Sequence, residues 1–161
     1  MGLDQKSASV ITVSDGVSAG IREDDSGDAL EKILLEHGFD VSRVLVADEV
    51  DQIAKAIRAC AARTALVLTT GGTGFGPRDV TPEATAAVLD RDAPGLVHTM
   101  LAVGLQSTPM AALSRARAGE VGRSLVVNLP GSPRGATESL QAIIEVVPHA
   151  IQLLSGDTAH H

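Results

Sequence analysis

The apolar run from Ala65 to Leu68 opens into Thr69-Thr70-Gly71-Gly72-Thr73-Gly74-Phe75-Gly76-Pro77-Arg78-Asp79-Val80-Thr81-Pro82, followed by Glu83-Ala84-Thr85-Ala86-Ala87-Val88-Leu89. That order predicts a strand, a glycine loop and a helix start. Four glycines within the six positions from Gly71 to Gly76 let backbone N–H groups come close to a bulky polar ligand. The helix that follows adds its unpaired amides and positive dipole end, so the junction suits an anion. Thr81 reads as the helix N-cap and Pro82 as its first residue. Asp79 stands between loop and helix. Beside anion-binding amides, a carboxylate either caps the helix or holds a cation that bridges it to phosphate. The loop lacks the Gly-Lys-Ser/Thr ending of a Walker loop, and its glycine spacing is not the dinucleotide pattern.

With 161 residues the chain is read as a single domain, 1–161, long enough to bury a core. Apolar residues make up 44%, mostly Ala, Val, Leu and Ile, while Phe39 and Phe75 are the only aromatics. A net charge of −7 and the lack of stacking platforms argue against nucleic acid as a partner. A phosphate ligand therefore needs loop amides, a few arginines and a divalent cation to offset the acidic background. Cys60 is alone and reads as a small core residue. Met1 to Ser9 lacks the pattern of a secretory signal and no apolar run approaches ~20 residues, so no membrane association and a cytoplasmic location are expected. His160 and His161 are given no function.

Ala8 to Val13 reads as a buried strand ending at Ser14-Asp15-Gly16, with a loop through Gly20. Ala29, Leu30, Ile33 and Leu34 set helical spacing in a segment from Asp24 to Gly38. Val41 to Val46 is a second strand, ending at Ala47-Asp48-Glu49, and Ile53, Ala56, Ile57 and Cys60 mark a second helix. Leu66 to Leu68 is the third strand. Pro94 to Gln106 reads as helix, Met110 to Ala118 fits either helix or surface excursion, and Gly119 to Gly122 reads as a turn before the strand Ser124 to Leu129. Helix resumes from Ala136 to Val147, and Pro148 separates it from a last short helix. Strands alternating with helices predict an α/β fold with a mostly parallel sheet.

In such a sheet the strands' carboxyl ends share one edge, where ligands bind. Ser14-Asp15, Asp48-Glu49, the Asp79 loop and Pro130-Gly131-Ser132-Pro133 each follow an apolar strand run, so all are expected to face one crevice. Taken singly, Asp15 and Asp48 read first as caps or turn formers, Arg78 as a loop-solvating residue, and the Pro130 segment as a stiff turn.

Together, Thr69 to Thr85, Ser14-Asp15, Asp48-Glu49, Leu113-Ser114-Arg115 and Asn128 to Pro133 closely resemble the MoaB/Mog family of molybdenum cofactor biosynthesis proteins, the molybdopterin-binding, adenylyltransferase-type domain. The resemblance runs from about Ser9 to Ser155. It implies a three-layer αβα sandwich, assembly as a homotrimer or hexamer, and transfer of AMP from Mg-ATP to the terminal phosphate of molybdopterin, releasing pyrophosphate. It further implies Asp48 and Asp79 as catalytic carboxylates that hold Mg²⁺, and Gly71, Gly72, Thr73 and Gly74 as the phosphate loop. Ser14, Asp15, Arg78 and Thr81 join the cleft, while Ser114 with Pro130, Gly131, Ser132 and Pro133 lies toward the pterin. A separate molybdenum-insertion protein is the implied partner.

The residues suit that chemistry. A phosphate nucleophile is already ionised near neutral pH, so no strong general base is needed, and His37, His98 and His149 sit in helical segments with no catalytic part. Repulsion between two polyanions is the barrier, and a divalent cation screens it. Two other classes remain: a noncatalytic molybdopterin-binding or scaffold protein, and a regulatory module using the same cleft for another phosphorylated ligand. A pure binder has no need of both Asp48 and Asp79.

Overall fold

The computed structural model describes residues 2–158, so His160 and His161 lie outside the described residues. β1 (Ser7–Val13) leads through a short helix α1 (Asp15–Ser18) to α2 (Asp25–Glu36) and β2 (Asp40–Val46). α3 (Val50–Ala61) returns the chain to β3 (Leu66–Thr70), and the glycine loop then leads to α4 (Thr81–Ala86). Next come β4 (Arg91–Asp92), α5 (Pro94–Ser107) and a 3₁₀ turn (Pro109–Leu113). The chain ends in β5 (Ala118–Val121), β6 (Ser124–Leu129), α6 (Pro133–Ile143) and α7 (Val147–Leu154).

The strands form one sheet in the order β2-β1-β3-β6-β5-β4. β2, β1, β3 and β6 run parallel, β5 is antiparallel to β6, and β4 is antiparallel to β5. Val13 lies opposite Val46, Thr12 opposite Thr70, and Thr70 opposite Leu129. This register ends the parallel strands level, so the chain leaves the sheet at one edge after Val13, Val46, Thr70 and Leu129.

Side-chain alternation along the strands splits the core in two. Val10, Leu66, Leu68, Val127 and Leu129 pack with Leu30 and Leu34 of α2, Leu140 and Ile143 of α6, and Ile151 of α7. On the opposite face Ile11, Val67 and Val126 pack with Ile53, Ile57 and Cys60 of α3 and Ala84 of α4. Helices on both faces of a mostly parallel sheet are the expected αβα sandwich, with Cys60 buried in it as expected. Asp24 caps α2 by accepting from the Gly27 N–H at 3.0 Å, and Gly38, with φ of +81°, follows its end.

Several local expectations need correction. The loop after β1 contains α1, whose cap is Ser14, accepting from the Val17 N–H at 3.2 Å. Ala118 to Val121 is a strand, not a turn: it pairs with β6 across a bend at Gly122, where φ is +60°. Gly119 sits in that strand because a Cβ there would overlap the Arg91 carbonyl oxygen of β4. The segment from Met110 resolves into a 3₁₀ turn followed by extended chain. Pro148 does not end a helix but stands in the first turn of α7, and the break falls at residues 144–146.

Asn128 ties the strand ends together from inside. Fully buried, its amide donates to the hydroxyls of Thr69 and Thr85, each at 2.9 Å, and its oxygen accepts from the Arg117 N–H at 3.0 Å. Asn128→Ala removes these partners together. It is expected to cost about 2–3 kcal/mol and to lower Tm by about 6–10 °C, as read by thermal unfolding.

Candidate active site at the carboxyl ends of the strands

Two glycines allow the strand ends to close on one another. Gly71 has φ of +104°, and a Cβ there would overlap the Val13 carbonyl oxygen of the neighbouring strand. Gly72 has φ of +68°; its Cβ would strike the Thr81 hydroxyl and lie 3.2 Å from Asp48 Oδ1. A Cβ on Gly131 would lie 3.2 Å from the Gly71 Cα, and Thr70 Oγ1 donates to the Pro130 carbonyl at 2.7 Å. Thr81 is not the N-cap of α4: Val80 takes that position, and no side chain caps it. The Thr81 hydroxyl is instead buried and donates to the Gly71 carbonyl at 2.9 Å, while the Thr81 N–H donates to the Gly72 carbonyl at 3.1 Å. This threonine folds the loop back onto itself.

Asp15 and Asp48 exchange hydrogen bonds. The Asp15 N–H donates to Asp48 Oδ2 at 2.8 Å and the Asp48 N–H to Asp15 Oδ1 at 3.0 Å, clasping the ends of β1 and β2. Arg78 reaches across from the glycine loop to Asp15 at 3.0 Å and to Glu49 at 2.9 Å. The Arg78 guanidinium, helped by the Asp48 N–H, holds the Asp15 carboxyl below its usual range. Burial pushes the Asp48 carboxyl up, and the charges of Asp15 and Asp79 add to this, against the Asp15 N–H and Arg78.

That shift fixes a sign. A carboxyl with a raised folded pKa destabilises the fold once it ionises, so the cost is absent in acid and develops as pH rises through the ordinary carboxylate range toward the folded value. Asp48→Asn is therefore expected to raise Tm slightly at neutral pH, with the gain vanishing near pH 3; a parallel pH series of thermal melts checks it.

Two cavities meet at this edge. A polar one of about 470 Å³ is lined by Ser14, Asp48, Gly71, Gly72, Asp79, Gly131, Ser132 and Pro133, among others. An apolar one of about 280 Å³ is lined by Thr73, Gly74, Ser114, Pro130 and again Ser132, with Met100, Leu101 and Met110. Ser132 also caps α6 by accepting from the Gly135 N–H at 3.1 Å. Asp15, Arg78 and Thr81 line neither cavity and serve the walls through the bonds described. No histidine lines either one.

Asp79 closes its own turn, accepting from the Gly76 N–H on Oδ2 at 2.9 Å. Asp48 likewise has Oδ2 engaged, and the other oxygen of each accepts no hydrogen bond among the described residues. No group of three or more His, Cys, Asp or Glu among the described residues is arranged to hold a metal ion. Mg²⁺ does not need one. It takes one or two carboxylates and completes its shell with phosphate oxygens and water, so two carboxylates on one cavity wall, each with an oxygen that accepts no hydrogen bond among the described residues, fit it.

Some wall residues carry no distinguishing signal in sequence. Thr12, Arg22, Glu23, Asp24, Asp25 and Ser26 also line the polar cavity. Asp24 looks like an ordinary helix cap, and is one, but it also accepts from Thr12 Oγ1 at 2.6 Å and pairs with Arg43. Only the arrangement of β1 beside β2 brings these together.

Known proteins resemble this chain in sequence and fold. Residues 9–149 match the family model described as a probable molybdopterin binding domain. The chain is 40% identical over 153 residues to the molybdopterin adenylyltransferase of Helicobacter pylori, covering 92% of this chain and 87% of that one. It is 40% identical over 151 residues to the molybdenum cofactor biosynthesis bifunctional protein of Synechococcus elongatus, covering 92% of this chain but 47% of that one. The crystal structure of the molybdopterin biosynthesis enzyme MoaB from Thermus thermophilus superposes with a TM-score of 0.87 at 50% identity, covering 93% of this chain and 96% of that one. By the family match and by its likeness in sequence and fold to these proteins, the chain belongs to the molybdopterin-binding domain family of molybdenum cofactor biosynthesis.

Proposed function

We propose that the chain is a molybdopterin adenylyltransferase, acting as a single domain that transfers AMP from Mg-ATP to the terminal phosphate of molybdopterin. The observation that carries this reading is the pair of carboxylates, Asp48 and Asp79, facing one polar cavity beside the glycine loop. The loop amides of Gly72, Thr73 and Gly74 bind phosphate oxygens, the Gly71 N–H being already donated to the Leu129 carbonyl at 3.1 Å, and Asp48 and Asp79 hold the cation. Mg²⁺, when bound, neutralises the phosphates and the charge that develops on the departing pyrophosphate. The pterin phosphate attacks in its ionised form, so the lack of a histidine in the cavity is no obstacle. The apolar cavity by Ser114 and Pro130 takes the pterin side of the substrate, and Ser132, on both walls, stands at the junction.

Assembly as a homotrimer belongs to the same reading. α5 contains no Asp, Glu, Lys or Arg, yet Met100 is its one buried residue, and Leu105, Met110 and Leu113 are exposed nearby. A molybdenum-insertion protein is proposed as the partner that consumes the product; this chain matches 47% of the bifunctional relative, which leaves room there for a second function. No helix among the described residues is long and apolar enough to cross a membrane, and a cytoplasmic site of action is proposed.

The test is purified protein with molybdopterin and Mg-ATP. Pyrophosphate release that depends on all three components is expected. Tight pterin binding with no pyrophosphate leaves a noncatalytic binding protein, and no pterin binding overturns both readings.

A further inference from the structure

Arg115 follows directly on Ser114 of the apolar cavity, yet its side chain reaches the glycine loop. Its Nε donates to the Gly74 carbonyl and its Nη2 to the Asp79 carbonyl, each at 2.8 Å. Its Nη1 donates to both oxygens of Glu83 in α4, at 2.6 and 3.1 Å. The Arg115 backbone N–H donates to the Thr73 carbonyl at 2.8 Å, and its guanidinium stands 5.7 Å from the Phe75 ring centroid. One side chain thus grips the loop at its entry and at its exit, and is itself braced from the helix beyond.

The Asp79 carboxylate has little else to aim it. Its side chain accepts from the Gly76 N–H, a bond within the loop, so the carboxylate turns with whatever fixes the loop. Among the described residues, Arg115 bonds two of the main-chain carbonyls of the segment Gly74 to Val80 from outside it; besides these, the Ala84 N–H donates to the Val80 carbonyl at 3.1 Å at the start of α4, and Arg78 anchors the segment by its side chain to Asp15 and Glu49. A lysine cannot replace this fork, because a single ammonium does not present donors in a plane to two carbonyls and a carboxylate together.

We infer that Arg115 is a positioning residue that sets the Asp79 carboxylate through the glycine loop and ties the wall of the apolar cavity at Ser114 to the polar cavity. The inference rests on the adenylyltransferase reading for its kinetic part alone. A displacement of Asp79 by about an ångström slows turnover by about 10²-fold while leaving substrate affinity nearly intact.

The experiment compares Arg115→Ala, Arg115→Lys, Glu83→Gln and the double variant Arg115→Ala/Glu83→Gln with the wild-type chain. Four readouts are taken: pyrophosphate release, dissociation constants for molybdopterin, Tm, and amide hydrogen exchange over residues 73–80. Arg115→Ala is expected to lose about 10²-fold in kcat with KM and pterin affinity within about threefold, and to show faster exchange in the loop. Arg115→Lys is expected to behave like Arg115→Ala. Glu83→Gln should give a smaller loss, which disappears in the Arg115→Ala background. Wild-type kcat in a folded Arg115→Ala protein, or unchanged loop exchange, overturns the inference. So does rescue by lysine, which would make Arg115 a simple charge. If the wild-type chain releases no pyrophosphate, the adenylyltransferase reading fails by itself, and the exchange measurement still decides whether Arg115 sets the loop.

Discussion

Asp79→Asn is expected to lower kcat for AMP transfer by about 10²-fold or more while molybdopterin affinity stays within about threefold. The substitution keeps an oxygen that can accept from the Gly76 N–H, so the turn from Gly76 to Asp79 persists and Tm changes little. It removes the negative charge alone. Of the two cavities, only the polar one is lined by Asp79, so a ligand held mainly by the apolar wall loses little. Steady-state kinetics paired with equilibrium pterin binding separates the two effects. A fall in affinity with kcat unchanged would mean that Asp79 contacts the pterin substrate in its ground state rather than serving the reacting phosphates.

Gly71→Ala has the largest expected effect on the fold itself. The residue combines φ of +104° with a Cβ that would overlap the backbone oxygen of Val13, and a main-chain atom cannot swing away as a long side chain would. Relief requires β1 and β3 to separate at the site edge. A loss of about 3 kcal/mol or more is expected from strain plus steric overlap, with activity abolished in whatever folds. By contrast, Gly122→Ala faces open space around its Cβ and meets only the positive-φ penalty, φ being +60° there, so it serves as a control with a loss of about 1 kcal/mol. Denaturant unfolding of the two variants side by side gives the comparison; equal losses would show that the close approach to Val13 adds nothing.

The site edge was legible in sequence because each strand end carries its own punctuation. Apolar runs that end before Ser14, Ala47, Thr69 and Pro130 mark carboxyl ends of parallel strands, the third running on through Thr70, and parallel strands bring such ends together without any local signal between them. What stayed hidden depends on partners distant in the chain. Ala118 to Val121 is short and holds a glycine, so nothing in its own residues marks it as extended; pairing with β6 and the close approach of β4 make it a strand. Thr81 has the residue type and place of a cap, but burial against Gly71 gives its hydroxyl a carbonyl to satisfy instead. Arg115 belongs to a recognisable Leu-Ser-Arg segment, yet its fork onto Gly74, Asp79 and Glu83 exists only once the 3₁₀ turn has brought it back over the loop.

The acidic pair and the glycine loop are proposed to form one centre for AMP transfer. This is tested most directly by following the label from ATP carrying radioactive phosphorus at the α position, in the presence of molybdopterin and Mg²⁺. One α-label is expected on the pterin for each pyrophosphate released, with transfer abolished by a chelator and severely reduced in Asp48→Asn and Asp79→Asn. Release of ADP with no α-label on the pterin, or full transfer by either variant, would contradict it.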